Sequence, residues 1–348
     1  MNLKIEYENN QYLNFDAGLI NFFLGPNSEI KWKLFRGLQR FNMGKALNEL
    51  EENVYGEDGI SIECDGKKLN SKNNLIMILD SRDSFLKHYT LSKGSLLLHY
   101  FENLKNDFDL NKSIYELNDK ILNLETIFQD KIENELHNFV PSLHAIEFDE
   151  ILKKLLIINY LENSQVFPLQ MLDVNKTIED FCRLLRNFLI SESKPIWLWI
   201  KNPNSFLAKG SLKKFIAVLR KITNETKLLR VFIVSDDFLD IAYEPEDMEN
   251  TVLIYNEIQQ LPPYDIFLNS IKNNYPDNEF DDEEDLLGNL FKIFPYIDQK
   301  NYKNVFLDKK NMLLLKLVDE LLGCNEIQLI KGNRNELTDC EENFLYGK

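Results

Sequence analysis

The sequence predicts an α/β fold interrupted by a long helical insertion and followed by a helical C-terminal extension. Three observations predict it. Short apolar runs alternate with amphipathic stretches on both sides of the chain's middle, the strand–helix–strand spacing of a mainly parallel sheet. Between them, apolar residues step by three or four from Leu110 to Phe139, the period of a helix face. After Leu261-Pro262-Pro263 the chain turns helical and acidic.

Taken in order, residues 1–24 read as two strands. Leu3 to Tyr7 alternates apolar and polar residues, and Leu19 to Leu24 is mostly apolar and therefore buried. Gly25-Pro26-Asn27 is a turn, and a helix follows from about Lys31 to Phe41. Leu75 to Leu79 is apolar throughout and fits a strand or a short helix. The stepping residues Leu110, Ile114, Leu117, Ile121, Leu124, Phe128, Ile132, Leu136 and Phe139 make one helix that Pro141 ends. Its early part is heptad-like, the pattern of helix-on-helix packing. Helices near 147–162 and 176–190 are expected to fold back against it. Pro195 to Ile200 is a buried strand. Ser211 to Ile222 is an amphipathic helix with Leu212, Phe215, Ile216 and Leu219 inward. Val231 to Ser235 and Thr251 to Tyr255 are two more strands. These elements divide the chain into a head (1–100 and 191–260), a helical leg (101–190) and the extension (261–348).

Composition bounds the function. The chain has 348 residues, with 44% hydrophobic and 28% charged, which is not a disordered composition. Its length suits two domains, or one with a large insertion. Cys64, Cys182, Cys324 and Cys340 form no CxxC or zinc-like spacing, as expected of reduced thiols in a cytoplasmic protein. The start Met1-Asn2-Leu3-Lys4 lacks the basic and apolar regions of a secretory signal. No apolar run approaches the ~20 residues of a membrane span.

The net charge is −16, from 40 basic and 56 acidic residues. That sum argues against nonspecific nucleic-acid binding, but the charges are segregated. Residues 201–230 carry eight basic residues against Glu225 alone, a balance of +7. Residues 31–40 add Lys31, Lys33, Arg36 and Arg40 with no acid. Residues 101–150 hold twelve acids and four lysines, and 277–285 hold seven acids in nine positions. Solvated faces explain any one cluster. Separation of sign by segment fits one face suited to an anion and another suited to cations.

One motif bears on chemistry. A strand followed by Gly-x-x-x-x-Gly-Lys-Ser/Thr and a helix cradles phosphates, the lysine reaching the β- and γ-phosphates and the hydroxyl holding magnesium. Here the run is Gly25-Pro26-Asn27-Ser28-Glu29-Ile30-Lys31-Trp32. Gly25 and Lys31 fall in register, while Ile30 and Trp32 replace the second glycine and the hydroxyl. A hydrolase also needs a carboxylate closing a later apolar strand. The strand at 196–200 instead ends in Lys201-Asn202-Pro203. The reading is a nucleotide-hydrolase scaffold (P-loop NTPase-like, of the ABC and SMC type) without the hydrolysis. An ordinary α/β sheet with no such ancestry is the plainer alternative. Trp32, Trp197 and Trp199 are expected in the core. His88, His99, His137 and His144 form neither HxxxH nor HExxH, and no nucleophile elbow is present.

This order of parts resembles the type II-A CRISPR adaptation proteins, the Csn-two family, in their large form. The resemblance rests on Gly25 and Lys31, on Ile196 to Pro203, and on the long insertion, and it covers about residues 1–260. It implies a head like ABC and SMC ATPases, a helical leg, a homotetrameric ring, bound calcium and a hole that holds ends of double-stranded DNA. The implied role is acquisition of new spacers beside the adaptation integrase and the effector nuclease, with no enzymatic activity and no membrane partner.

The candidate residues follow from charge. An acidic chain can bind DNA only where its bases gather, and with no base-reading motif the binding is indifferent to sequence. Candidate phosphate contacts are Lys209, Lys213, Lys214, Arg220 and Lys221, with Lys67, Lys68 and Lys72 in a loop rich in Gly and Asn. Calcium takes six to eight oxygens. The insertion offers Glu116 with Asp119 and Asp130 with Glu133, each pair on one helix face, without an EF-hand loop. Two rival readings stand beside the DNA clamp: an ATPase of the SMC or recombination type with an atypical site, and a structural partner that uses the leg and the acidic tail for protein contacts.

Overall fold

Alternation sets the first strands. In a computed structural model of the chain, β1 (Asn2–Glu8) and β2 (Gln11–Asp16) form an antiparallel hairpin, with Leu3, Ile5, Leu13 and Phe15 buried on one face. Residues 1–24 thus hold three strands rather than two. β2 is signalled only by Leu13 and Phe15 after the Asn9-Asn10 turn, where Asn10 takes a positive φ of 57°. The third strand, β3 (Ile20–Leu24), is buried throughout. The described residues are 1–56, 59–70, 75–133, 135–277, 286–299, 307–324 and 337–346.

Helix α1 (Ser28–Met43) begins where the Asn27 side chain accepts from the Ile30 amide, and it ends at Gly44 in the left-handed conformation. Helix α2 (Glu49–Tyr55) carries a capping box between Asn48 and Glu51. Next come β4 (Ile62–Cys64), β5 (Lys67–Lys68), β6 (Leu75–Leu79) and α3 (Arg82–His88). Leu75 to Leu79 is therefore a strand.

The chain divides into two compact units. Met1–Arg82 joins Glu192–Lys348 in the first, and Asp83–Ser191 forms the second. The second holds α4 (Leu96–Glu102), α5 (Phe108–Glu133), the one-turn α6 (Phe148–Glu150), the hairpin of β7 (Asn159–Glu162) and β8 (Gln165–Pro168), and α7 (Val174–Glu192). Two expectations fail here. Helix α5 stops at Glu133, before Pro141. The residues beyond it include Asn138, Phe139 and Val140, which are poor helix formers, and 141–146 run back along the helix instead. The Gln129 amide donates to the Pro141 carbonyl at 3.1 Å, Glu125 accepts from the Leu143 amide at 2.6 Å, and Asn118 pairs with both backbone groups of Ile146. The region 147–162 is helical only over 148–155, where α6 runs on into a π-helical turn at Ile151–Leu155, and then becomes a strand. Asn163 and Ser164 both adopt positive φ, the two-residue hairpin geometry that returns β8 on β7.

The first unit resumes with β9 (Ile196–Lys201), α8 (Lys209–Thr226), β10 (Leu229–Val234), α9 (Pro245–Glu249), β11 (Thr251–Ile254) and β12 (Ile258–Gln260). It closes with α10 (Tyr264–Asn274), α11 (Leu286–Ile293), α12 (Lys309–Leu321) and α13 (Asp339–Tyr346). A six-stranded sheet runs β12-β11-β3-β10-β9-β6, parallel except for β12, beside a four-stranded antiparallel sheet ordered β2-β1-β4-β5.

Helix α1 lies between the two sheets. Its Leu34, Phe35 and Leu38 share one apolar cluster with Leu3, Ile5 and Phe15 of the small sheet and with Phe23, Trp197, Trp199, Phe232 and Val234 of the large one. Trp199 stacks between Phe23 at 5.5 Å and Phe232 at 4.4 Å. Successive strand residues point to opposite faces, so Phe22, Leu198, Val231 and Ile233 face away from α1. There Phe22 meets Tyr243 and Phe291 of α11, and α8 packs on β10 with Leu212, Phe215, Ile216 and Leu219 buried as expected. Among the described residues no helix is long and apolar enough to cross a membrane.

Candidate functional site

The parallel strands β3, β9 and β10 deliver Gly25, Asn202 and Asp236 to one edge of the large sheet. Only Gly25, Pro26 and Asn27 separate β3 from α1. Gly25 sits at φ +113°, and a Cβ there would lie 2.4 Å from the Ile254 carbonyl oxygen, so no side chain fits. Asn27 anchors the turn. Besides capping Ile30 it donates to the Tyr255 carbonyl at 2.8 Å.

Lys31 does come to Gly25, as its register predicts, but in its own way. Its side chain is 2% exposed. The ammonium donates to the Gly25 carbonyl, to the Ser235 carbonyl at 2.7 Å and to Asp236 Oδ1 at 2.8 Å. An ammonium has three donors, and all three are taken within the chain. Asp236 Oδ2 in turn accepts from Asn202 Nδ2 at 2.8 Å, and Asn202 Oδ1 accepts the Asp236 amide at 3.0 Å. Burial pulls the Lys31 ammonium below its usual range, opposed by Asp236. Burial pushes the Asp236 carboxyl up, and hydrogen bonding and charge from Lys31 outweigh it, leaving the group lower than usual. Lys201 sets its ammonium 5.2 Å over the Phe35 ring. Trp32, at the hydroxyl position, is 51% exposed with Arg36 stacked on it at 4.7 Å, so it is no core residue, whereas Trp197 and Trp199 are buried.

The sequence pointed to Lys31 and Gly25 and missed Asp236. A findable signal existed. Asp236-Asp237 is an acidic pair closing the apolar run 231–235, one strand later than the strand at 196–200.

The basic segments sort into spent and free charges. Lys33 pairs with Glu8 at 2.8 Å and Glu29 at 3.0 Å, and Arg40 pairs with Glu51 at 2.8 Å. Arg230 donates to the Gly18 carbonyl at 2.6 Å. Arg220, expected as a phosphate contact, is half-buried against acids. It bonds Asp247 through both nitrogens at 3.0 and 2.6 Å and lies 3.5 Å from Glu244. A guanidinium so committed is unavailable to a phosphate. Lys209, Lys213, Lys214 and Lys221 are exposed on α8, and none of the four makes an ion pair or hydrogen bond among the described residues. At ~1.5 Å per residue they span about 18 Å of helix. Lys213 and Lys221 also line a cleft of about 520 Å³ together with Ile216, Ala217 and Ala242 and the acids Glu225 and Glu244. Lys67 and Lys68 are exposed on the edge strand β5 of the small sheet, on the α1 side of the large one, so one chain does not gather them with the α8 lysines. Lys72 lies outside the described residues, as does most of 277–285.

The expected calcium ligands are not assembled either. Glu116, Asp119, Asp130 and Glu133 are all exposed on α5. Fourteen residues separate Glu116 from Asp130, about 21 Å along a helix. Among the described residues no three His, Cys, Asp or Glu side chains form a group able to hold a metal ion. What α5 does present is apolar surface. None of its residues is buried, and Leu117 and Leu124 of the heptad stripe are 41% and 46% exposed.

No protein-family model and no curated protein matches the sequence. Among solved structures the chain is similar to Stu0660 of Streptococcus thermophilus, with a TM-score of 0.84, 15% identity and 98% of each chain covered. It also aligns with cbiO1 of Clostridium perfringens, part of an ABC transporter complex, at a TM-score of 0.38 and 15% identity over 79% of this chain and 95% of the other. An SMC head domain from Thermotoga maritima aligns at 0.30 and 11% over 75% and 97%. The first likeness shows a shared fold across the whole chain.

Proposed function

We propose that this chain is a non-catalytic protein that binds ends of double-stranded DNA without regard to sequence, as a homotetrameric ring, in the spacer-acquisition step of a type II-A CRISPR system. The scaffold in this reading is a P-loop NTPase-like head that has lost its nucleotide chemistry. The observation that carries it is the row of unpartnered ammonium groups at Lys209, Lys213, Lys214 and Lys221. In a chain of net charge −16, four free cations on one helix form a local surface suited to a phosphate backbone. The long apolar stripe left open on α5 supports self-association, because a heptad seam of this length needs a partner. Calcium enters only as an assembly ion whose oxygens come from more than one copy. The adaptation integrase and the effector nuclease are the protein partners of this reading.

The test compares linear duplex with covalently closed duplex, with calcium and with chelator. A ring that threads ends retains linear DNA and releases it through free termini, and it fails to load closed circles. Equal retention of both forms sinks the ring. The rival ATPase reading has less support, since Lys31 has no donor left for a phosphate and Lys201 stands where a metal-holding carboxylate belongs. ATP turnover abolished by Lys31→Ala would favour it.

A further inference from the structure

We propose that Lys31 is a built-in cross-link that stands where a bound phosphate would, fixing the ends of β3, β9 and β10 in one arrangement that needs no nucleotide. Three strands end within reach of this ammonium. Gly25 follows β3, Ser235 and Asp236 follow β10, and Asn202 follows β9. Lys31 bonds the first two groups directly. It reaches the third through Asp236, whose second oxygen takes the Asn202 amide.

The chemistry is complete without a ligand. The ammonium's three protons meet three oxygens, and the one carboxylate among them balances its charge. Asp236 divides its two oxygens between Lys31 and Asn202, and its backbone amide donates to Asn202 Oδ1. Asn202 adopts a left-handed φ of 45°, a conformation Asn tolerates better than most residues. It turns the chain so that both ends of its amide face Asp236. A phosphate arriving at this edge would have to break the Lys31–Asp236 pair, and it would meet the carboxylates of Asp236 and Asp237 as it did so.

The inference stands on these strand ends alone, so loss of DNA binding would not touch it. The experiment measures thermal midpoints of the full chain alone, with Mg-ATP and with inorganic pyrophosphate. The unmodified protein should show no shift with either. Lys31→Met should lower the midpoint by a few degrees, because the Gly25 and Ser235 carbonyls lose their buried donor and the partly exposed Asp236 carboxylate loses its cation. Lys31→Met combined with Asp236→Asn should recover part of that loss, since the unpaired charge is then gone while the Asn202 contact can remain. Should Lys31→Met yield no folded protein, Asp236→Asn alone must lower the midpoint and still show no shift with either ligand. A saturable rise of the unmodified protein with Mg-ATP or pyrophosphate overturns the proposal, as does a double variant whose loss equals the sum of the two single losses.

Discussion

Arg220 and Asp247 face each other as a two-point pair, Nη1 to Oδ1 at 3.0 Å and Nη2 to Oδ2 at 2.6 Å. The pair ties α8 to α9. Asp247 is buried, and it also accepts from the Glu244 amide at 2.7 Å. Burial raises the Asp247 carboxyl, opposed by Arg220. Removing the guanidinium would therefore strand a carboxylate in the interior. Arg220→Ala should cost about 3–5 kcal/mol of stability, visible as a lower urea midpoint. Its effect on DNA affinity at low salt should be small once the variant is held folded. A large affinity loss with unchanged stability would put Arg220 back among the phosphate contacts.

The four free lysines of α8 make the opposite prediction. Each phosphate neutralised contributes about −0.9 to the slope of log affinity against log salt. Lys209→Ala, Lys213→Ala, Lys214→Ala and Lys221→Ala together should flatten that slope by about 3 to 4, with little change in thermal midpoint because exposed lysines contribute little to stability. Measuring binding at several salt concentrations decides it. The same measurement on Lys67→Ala with Lys68→Ala reports separately on the small sheet's edge. An unchanged slope in the α8 variant ends its role as the DNA surface.

His88 predicts an acid-sensitive second unit. It is buried against Phe181, with Nδ1 unpartnered. Burial, helped by Lys87, drops its pKa from 6.5 to about 4. The unfolded chain then binds this proton near pH 6.5 and the folded chain only near 4. Stability from this group is complete above 6.5 and falls as pH drops through that window, by roughly 3 kcal/mol in all. Carboxylates held low by cations, such as Asp236 and Glu341, lose their contribution at lower pH. Urea midpoints at pH 7 and pH 5 should differ in the native protein and differ less in His88→Leu. Equal pH sensitivity in both proteins would mean that His88 is already solvated.

What the sequence made legible were elements with strong local signals. β3 and β9 announced themselves as apolar runs, α8 through Leu212, Phe215, Ile216 and Leu219, and α1 as the stretch that follows the Gly25-Pro26-Asn27 turn. The strand β2 and the hairpin β7–β8 escaped because each has few residues and a helix-compatible or polar neighbourhood. The lysine of the phosphate register was visible, but its partner Asp236 lies 205 residues away, and no local rule pairs them. Arg220 looked like its lysine neighbours, since charge alone does not reveal that Asp247 arrives beneath it from α9. Trp32 was misjudged because a tryptophan is most often interior. Here the helix turns it outward, where Arg36 covers one side of its ring.

Assembly gives a fourth prediction. Leu117 and Leu124 are substantially exposed, so Leu117→Glu with Leu124→Glu should leave the single chain's fold almost unchanged. The same changes place two carboxylates in the heptad seam and should shift the assembly to lower mass. Mass measured in solution with calcium and with chelator checks both halves. A native protein that is monomeric in both conditions, or a variant whose mass is unchanged, removes α5 as the self-association surface.

Two glycines isolate what the phosphate-register turn requires. Gly66 has φ +75° and open space around its missing Cβ, whereas Gly25 has φ +113° and the Ile254 carbonyl oxygen at 2.4 Å. Gly66→Ala bears only the backbone penalty, about 1–2 kcal/mol. Gly25→Ala must bear a penalty of that kind and also push β11 and β3 apart, in the place where the Gly25 carbonyl accepts from Lys31. Its loss should exceed that of Gly66→Ala by about 2 kcal/mol or more. Because the turn has only three residues between β3 and α1, it has no slack through which to move the new methyl aside. Equal midpoints for the two variants would mean that the turn can shift away from Ile254, and the close approach would then not be what requires glycine at position 25.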